Sequence, residues 1–356
     1  MTALHRPTAA DVYARLPHAS QVDILDGADW QARRSAPGTV SGSDVGAILG
    51  IDGAGSAWDV WARRTGRSVP EPSPATRAAW DRGHHLERGT LEWYAHDLAG
   101  IHRGEPFPAD APTVLYAAPA NILVTGPEPW MVGSPDALVL DGAHTWGVDA
   151  KTAGHGRGDW SEDEGDGATV PGRILAQVWW YMACTGLPRW DIATLHGGLE
   201  FRRYQVERPT PEHMERLVEL VREWRARYLI GGETPPVDGS DACRTALPSL
   251  FRTGPAVRPM AEPEHATVAR YLAAKRASKA ADAALSVAEN EVRALIGDDA
   301  GIAVQGKDTV TWRLQDGARR IDSTRLRAEF PEVADAVTVQ GEPTRVLRVS
   351  PGLLRG

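Results

Sequence analysis

A helical repeat of apolar positions lies between residues 77 and 97. Along this segment, spacings of four, three, four and three residues separate Trp80, His84, Glu87, Leu91 and Tyr94. In a helix with about 3.6 residues per turn, such spacings place all five side chains on one face. The pattern predicts a long helix on which Glu87 points inward among apolar neighbours.

A two-residue alternation follows further along the chain. Strands are predicted over residues 130–140 and 145–152, and the turn pair Asp141-Gly142 between them indicates a β-hairpin. On the second strand the alternation places Asp149 and Lys151 on one face, with the apolar residues on the other. An acidic and a basic side chain are thus expected side by side.

Shorter helices and two further strands complete the main unit. Strands are predicted over 190–196 and 199–207, and the unit is expected to end near residue 251. Helices are predicted to begin at Ser43, Ser56, Pro171 and Thr210. This order of elements predicts an α/β fold with a mixed sheet flanked by helices.

The outer segments suggest the domain organisation. Residues 1–33 are polar and unpatterned, which indicates an N-terminal extension before a main domain over 34–252. Prolines and small residues predict a linker over 253–263. Beyond it, a long Ala-rich helix with a heptad-like seam is predicted over 264–296, and strands near 302–304, 309–314 and 345–349. Residues 264–356 are therefore expected to form a small α+β appendage.

Composition excludes several classes of protein. The chain has 356 residues, 42% hydrophobic and 24% charged, which is typical of a globular protein. Its two cysteines are too few for a disulfide framework or a four-cysteine metal cluster. No run approaches about 18 apolar residues, and no secretory signal is evident at the start. We expect a soluble cytoplasmic protein without membrane association.

Charge narrows the choice of partners without excluding DNA. The net charge is −8, which argues against a generally basic nucleic-acid coat. Only four of the 39 basic residues are lysines, and Lys151 is the only lysine before residue 275. A solitary lysine in an arginine-rich chain indicates a position that needs a compact ammonium group.

The chemistry-bearing residues concentrate on the predicted hairpin. A Pro-Asp pair ends at Asp136, and the triplet Asp149-Ala150-Lys151 follows 13 residues later. Mg²⁺ is held by one or two carboxylates and keeps several waters, so Asp136, Asp149 and the Ala150 carbonyl form a candidate magnesium site. Lys151 is then placed to orient or deprotonate an attacking water. A surface salt bridge on a hairpin is the alternative interpretation of the triplet.

The spacing PD(x)12DxK resembles the signature of PD-(D/E)xK nucleases, and several ordered motifs make the resemblance more specific. Residues 41–50 (SGSDVGAILG), 58–66 (WDVWARRTG) and 82–87 (RGHHLE) resemble the YqaJ-like phage recombination exonucleases, the family that includes phage lambda exonuclease. Further matches are Val170-Pro171 leading to Gln177, then Gly197-Gly198 and residues 235–239. The similarity covers about residues 34–251. It implies a restriction-endonuclease-like core.

The resemblance also implies roles for individual residues. Metal ligands would be Asp136 and Asp149, with Glu87 contributing from its helix. Lys151 would serve the attacking water, and Gln177 would support the site. The positions matching those that bind a terminal 5′-phosphate are Ser43, Ser134 and Arg157, and either Arg33 or Arg34 would add a phosphate contact. Asp149 replaces the usual glutamate, which leaves the preference between Mg²⁺ and Mn²⁺ open.

The implied activity is a metal-dependent 5′→3′ DNA exonuclease that acts on linear duplex ends during phage-type homologous recombination. Its partners would be linear double-stranded DNA ends and a single-strand annealing protein, in a bacterial host that carries the phage or prophage. Relatives of the lambda type form a ring, so a homo-oligomer such as a trimer is a further expectation.

Two other functions remain open at this point. A catalytically inert protein could use the same fold to bind DNA ends or to act as a recombination scaffold. Another PD-(D/E)xK endonuclease is the second alternative, although a CRISPR-associated RecB-like nuclease would need four cysteines for its iron–sulfur cluster.

Overall fold

The computed structural model describes residues 4–67, 71–154, 160, 170–251, 257–305, 308–317, 321–340 and 346–354. The chain divides into two compact units, Met1–Arg252 and Thr253–Gly356. No helix within the described residues is both long enough and apolar enough to cross a membrane.

Within its described residues, the first unit contains ten strands and eight α-helices. The strands are β1 (Leu4–His5), β2 (Gln21–Leu25), β3 (Val40–Ser41), β4 (Thr113–Leu115), β5 (Asn121–Thr125), β6 (Met131–Gly133), β7 (Ala137–Asp141), β8 (His144–Ala153), β9 (Arg189–His196) and β10 (Glu200–Glu207). The helices are α1 (Ala9–Tyr13), α2 (Gly27–Arg34), α3 (Gly42–Ile48), α4 (Ala57–Arg64), α5 (Pro74–Ala99), α6 (Gly172–Thr185), α7 (Pro211–Trp224) and α8 (Asp241–Leu250). A π-helical turn, Arg225–Ile230, continues α7.

A six-stranded sheet in the order β1-β4-β7-β8-β9-β10 forms the centre of this unit. Strands β7 and β8 form the predicted antiparallel hairpin, with Gly142 in the left-handed conformation that its tight turn requires. Strand β8 pairs in parallel with β9, and α6 lies between them in the chain. The sheet is therefore mixed and flanked by helices, which confirms the predicted α/β class.

Helices cover the two faces of the central sheet. On one face, Leu91 and Tyr94 of α5 pack with Trp146 and Val148 of β8. The largest hydrophobic cluster contains Trp180 and other α6 residues. Both cysteines are buried and free, as expected from their small number.

The first 33 residues, predicted as an extension, lie within the first unit. Strand β1 pairs in parallel with β4 at the edge of the central sheet. Strand β2 pairs with β5 in a second sheet of order β2-β5-β6-β3. These strands are short, and their partners lie about a hundred residues away, so local patterning gave no signal of them.

Two predicted elements close to the motif differ from those observed. Residues 130–140 form two strands instead of one, because the chain leaves the pleat at Ser134, Pro135 and Asp136. The cap of α3 is Ser41 instead of Ser43, and its partner in a capping box is Asp44.

Only the C-terminal part of α5 buries the face that was predicted to point inward. Leu91 and Tyr94 are fully buried, whereas Trp80 is 56% exposed and His84 is also exposed. The helix is 26 residues long, and its buried residues begin at Thr90, so the N-terminal turns have no core to face. Glu87 lies at the transition and is half-buried.

The second unit comprises one long helix and several short elements. It contains α9 (His265–Ile296), β11 (Gly301–Gln305), β12 (Asp308–Thr311), α10 (Ser323–Glu329) and α11 (Pro331–Val337), and β11 and β12 pair in an antiparallel hairpin. The strand predicted over 345–349 is absent from its described part, residues 346–349. Helices α10 and α11 were not predicted.

Candidate active site

Three residues of the predicted catalytic motif lie together beside the central hairpin. Asp136 immediately precedes β7, while Asp149 and Lys151 lie on β8 with the same orientation relative to the sheet. The Oδ2 atom of Asp136 accepts a hydrogen bond of 2.8 Å from the Ala150 backbone N–H. This bond joins the two separated parts of the motif.

The end of β7 explains why the Ala150 N–H is available to Asp136. The pairing of β7 with β8 stops at Ala137 opposite Val148. Beyond that point β7 offers no carbonyl to the Ala150 N–H. The Asp136 carboxylate accepts the hydrogen bond from this N–H instead. In a strand the N–H and C=O of one residue point to the same edge, so the Ala150 carbonyl faces this edge too.

Asp149 is a buried carboxylate, and one of its two oxygens has no hydrogen-bond partner among the described residues. Its Oδ2 atom forms a short ion pair with the Lys151 ammonium, while the side chain is only 1% exposed. Its Oδ1 atom is buried and has no hydrogen-bond partner among the described residues. An unpartnered buried oxygen is costly, and a divalent cation is a ligand that would satisfy it.

Electrostatic coupling between these groups is strong. Burial raises the pKa of the Asp136 carboxyl well above its usual range, and the neighbouring carboxylates of Asp149 and Glu87 raise it further. Burial alone would lower the pKa of Lys151, but the attraction of Asp149 and Asp136 outweighs it and raises this pKa. Lys151 therefore carries its proton in this arrangement. A protonated lysine can orient a water molecule, but it cannot act as the base that removes a proton from that water.

Glu87 approaches the motif from a different direction. Burial raises the pKa of its carboxyl, although the Tyr116 hydroxyl donates a hydrogen bond to it. Helix α5 packs on the face of β8 that carries Trp146 and Val148, opposite to the face that carries Asp149. Within the described residues, no three Asp, Glu, His or Cys side chains are placed to hold a metal ion together.

The predicted supporting residue Gln177 contacts a tyrosine that sequence reasoning missed. The Gln177 Nε2 atom donates a 2.8 Å hydrogen bond to the Tyr181 hydroxyl one turn later on α6. The Tyr181 ring packs closely against Gly42 and Gly133, where a Cβ would lie 2.5 Å and 3.1 Å from ring carbons. Burial raises the pKa of Tyr181, and the charge of Asp149 adds to this effect. Tyr181 is thus a neutral phenol between the catalytic motif and the start of α3.

The predicted phosphate-binding residues form a second group of contacts. Arg34, the last residue of α2, donates a 2.6 Å hydrogen bond to the Ser43 hydroxyl. Arg33 instead forms an ion pair of 2.9 Å with Asp23. The structure thereby distinguishes the two arginines that the sequence left open, and Arg34 is the one next to Ser43.

Ser134 joins this group through a residue of the N-terminal segment. Its hydroxyl donates to the Ile122 carbonyl at 2.7 Å and accepts from Trp30 Nε1 at 2.8 Å. The Arg34 guanidinium lies over the Trp30 ring, 4.9 Å from its centroid. Trp30 was not predicted as a site residue, because its segment was interpreted as an extension. Arg157, the remaining predicted phosphate ligand, lies outside the described residues.

One cavity of about 420 Å³ connects the two groups. Ser43, Lys151 and Gln177 line it, together with two residues that the sequence analysis did not select, Trp160 and Arg173. Arg173 is exposed and lies in the first turn of α6. Its guanidinium packs against Gly53, where an added Cβ atom would lie 3.7 Å from a guanidinium nitrogen. The described part of the chain provides no carboxylate partner for its guanidinium. The only sequence signal for Arg173 was its place directly after Pro171-Gly172.

Fold and site together define an α/β protein that holds a buried acidic and basic motif beside a cavity. Residues 29–188 match the family model of the YqaJ-like viral recombinase domain. This match confirms the resemblance predicted from the motifs.

Individual relatives are more distant. The uncharacterized protein YqaJ of Bacillus subtilis (strain 168) is 21% identical over 304 residues, which cover 84% of this chain and 87% of that protein. A similar solved structure is the alkaline exonuclease LHK-Exo from Laribacter hongkongensis, with 17% identity, a TM-score of 0.37, and coverage of 58% of this chain and 96% of that one. LHK-Exo in complex with dAMP has 19% identity, a TM-score of 0.36, and coverage of 57% and 91%.

Proposed function

We propose that this protein is a metal-dependent DNA exonuclease that degrades one strand of linear duplex DNA from a 5′ end, in phage-type homologous recombination. The observation that carries the proposal is the buried, unpartnered Oδ1 atom of Asp149, which lies beside Lys151 and next to a cavity that Ser43 also lines. The YqaJ-like domain supports the biological setting.

Asp136, Asp149 and the Ala150 carbonyl are the groups that would hold Mg²⁺, and Mn²⁺ is a possible substitute. Two carboxylates and a carbonyl suit a hard cation that keeps several waters. Glu87 is the predicted additional ligand, and the electrostatic interaction of its carboxyl with Asp136 and Asp149 supports a place close to them. A bound Mg²⁺ would supply Lewis-acid stabilisation of negative charge on a phosphodiester.

The protein side chains supply the remaining functions. Lys151, held against Asp149, would orient the attacking water and offset charge on the scissile phosphate. Gln177, which donates to Tyr181 and lines the cavity, would support the site there. Ser43 and Arg34 would bind the terminal 5′-phosphate, because a guanidinium and a hydroxyl are suitable donors for phosphate oxygens.

This reaction defines the partner. Degradation of one strand from its 5′ end leaves a single strand that must be protected and paired, so a single-strand annealing protein is the expected recipient. A ring-shaped homo-oligomer, such as a trimer, would keep the enzyme on its substrate between cleavage steps, and the molar mass in solution tests it.

The proposal is tested with linear duplexes bearing 5′-phosphate or 5′-hydroxyl ends and with closed circular DNA. Wild-type protein with Mg²⁺ should degrade the linear duplexes and spare the circle, and EDTA should abolish the reaction. Asp149→Asn removes the charge at nearly constant volume and should lower the rate by about a thousandfold or more. The matched control is Asp141→Asn at the exposed hairpin turn, which should retain wild-type activity.

Two results would contradict the proposal. Nicking of the circle would indicate an endonuclease. A wild-type protein that binds DNA ends but never degrades them would indicate the inert scaffold. Binding of Mg²⁺ can be followed separately from activity, since a ligand that binds only the folded protein raises its melting temperature. Asp149→Asn should lose most of that increase.

A further inference from the structure

A buried ion pair lies directly beneath the predicted phosphate-binding group. It joins Asp44 of α3 to Arg64, the last residue of α4, in a short contact. The Asp44 and Arg64 side chains are only 1% and 6% exposed. Neither residue lines the cavity that contains Ser43 and Lys151.

The Asp44 carboxylate fixes the start of α3. Its Oδ2 atom accepts hydrogen bonds from the Ser41 backbone N–H at 2.9 Å and from the Ser41 hydroxyl at 2.8 Å. The Ser41 hydroxyl oxygen lies 3.2 Å from that of Ser43. The orientation of Ser43 at the cavity is therefore connected to Asp44 through one serine.

The Arg64 guanidinium fixes the other side of the group. It donates to the backbone carbonyl of Arg34 at 2.7 Å and to the Thr39 hydroxyl at 3.0 Å. It also reaches the Ser41 hydroxyl at 3.3 Å. The end of α2, which carries the Arg34 side chain, is thereby tied to the start of α3, which carries Ser43.

The planar fork of arginine is essential to this arrangement. Arg64 contacts acceptors in α2, in the segment before β3, and at the start of α3 with one rigid group. A lysine ammonium has the same charge but cannot span these directions at once. A buried ion pair is by itself weak evidence for stability, since apolar residues of similar volume often replace such pairs without loss. Placement of neighbouring groups is the role that its hydrogen bonds support.

We propose that Asp44 and Arg64 are positioning residues that set the selectivity for a 5′-phosphorylated DNA end, by holding Arg34 and Ser43 at the spacing of one phosphate group. This inference rests on the proposed exonuclease function. It adds the residues that determine the preference for a 5′-phosphate over a 5′-hydroxyl end. Small displacements of binding groups are expensive, and a misplacement of about 1 Å can cost up to about a hundredfold in rate.

The test compares full-length wild type with Arg64→Lys, using duplexes that differ only in a 5′-phosphate or a 5′-hydroxyl. In the wild type the phosphorylated end should react faster. In Arg64→Lys the ratio of kcat/KM for the two ends should fall about tenfold, mainly through a higher KM for the phosphorylated end. The rate on 5′-hydroxyl ends should stay within about twofold of the wild-type rate.

The matched control is Arg189→Lys. Arg189 also pairs with a buried carboxylate, Asp191, at 2.7 Å, and neither residue lines the cavity. This variant should lose comparable stability and keep the wild-type ratio for the two ends. If Arg64→Lys is folded and keeps the wild-type ratio, or if Arg189→Lys changes the ratio as much, the inference is wrong.

A milder variant covers the case in which Arg64→Lys does not fold. Thr39→Val removes one Arg64 acceptor at nearly constant volume, together with the hydrogen bonds that this hydroxyl donates to the Arg34 and Ala36 carbonyls, and should lower the ratio about threefold. An unchanged ratio in folded Thr39→Val would then overturn the inference.

Failure of the proposed function is distinguishable from failure of this inference. If the wild type cleaves linear DNA without preferring phosphorylated ends, the exonuclease function stands and the inference is wrong. If the wild type does not cleave, fluorescence anisotropy with labelled duplexes measures binding of the two ends directly. A phosphate preference in binding that Arg64→Lys loses would then support the inference alone, and no preference would overturn both proposals.

Discussion

At the residue scale, Tyr181 lies between the predicted catalytic motif and the predicted phosphate-binding group. Its hydroxyl accepts from Gln177, and its ring lies against Gly42 at the start of α3. Gly42 has an ordinary backbone conformation, so close approach of the ring, and not a positive φ angle, is the reason for glycine here. The space at Gly42 thus sets the position of Tyr181.

Gly42→Ala is predicted to displace Tyr181 and weaken the site. The added Cβ would lie 2.5 Å from the ring, so the ring or α3 must move, at a cost of about 1–3 kcal/mol. Chemical denaturation should show lower stability, and nuclease activity should fall more steeply than stability. As a control, Gly89→Ala adds a methyl group to α5 with nothing within 4 Å and should be stabilising by about 0.5–1 kcal/mol. Wild-type stability and activity in Gly42→Ala would show that the ring does not depend on this space.

The sequence predicted some site residues far better than others. Asp136, Asp149 and Lys151 followed from spacing along one hairpin, because a strand alternates its side chains with a fixed period. Trp30 and Tyr181 could not be predicted, since the contacts of Trp30 with Ser134 and of Tyr181 with Gly42 each join residues more than a hundred positions apart. The roles of the catalytic and phosphate-binding residues remain predictions.

At the element scale, the Asp44–Arg64 pair joins α3 to α4. Burial would raise the pKa of Asp44, but the positive charges of Arg64 and Arg63, with the Ser41 N–H, outweigh it and the pKa is lowered. A carboxyl whose pKa is lower in the folded protein than in the unfolded chain contributes stability above its unfolded pKa, about 3.9. That contribution is lost as the pH falls through the folded pKa.

Asp44→Asn is accordingly predicted to destabilise the protein in a pH-dependent way. At about pH 7 the variant should lose roughly 3–5 kcal/mol, because Arg64 is left as a buried charge without its partner. The difference from the wild type should begin to narrow below about pH 4, where Asp44 of the unfolded chain binds a proton, and it should be lost as the pH falls through the lower folded pKa. Urea unfolding across this pH range measures both effects, with Asp81→Asn on the exposed part of α5 as control. A constant difference at all pH values would exclude this ionic origin.

Elements with strong local patterns were predicted, and those that depend on distant partners were not. The β7–β8 hairpin, α6 and the β9–β10 pair were recognised from turn residues and periodicity. Strands β1 and β2 have two and five residues and acquire their role only by pairing with β4 and β5. The mixed α/β class could therefore be predicted, whereas the edges of both sheets could not.

At the scale of the whole molecule, the two units differ in their hydrophobic cores. The three clusters of buried apolar residues found in the described part of the chain all lie in the first unit. Among the described residues of the second unit, only Ile296 and Ala334 are buried hydrophobic residues. Leu285 and Leu295, on the heptad-like seam of α9, are 58% and 74% exposed.

The unit Met1–Arg252 is therefore predicted to fold and act without the second unit. A chain ending at Arg252 should show a melting temperature within about 3 °C of the full-length protein, since the clusters that carry most of the apolar burial are retained. Its activity per mole on short linear duplexes should also be retained. Scanning calorimetry and the nuclease assay test these expectations. A loss of cooperative unfolding would show that the second unit is needed for the core.

The hydrogen bond from the Ala150 N–H to Asp136 has a practical consequence. A backbone amide that donates to a carboxylate reports the state of that carboxylate through its NMR chemical shift and its hydrogen-exchange rate. The Ala150 resonance is thus a natural probe, built into the chain, for titrating cations into this protein without any DNA present.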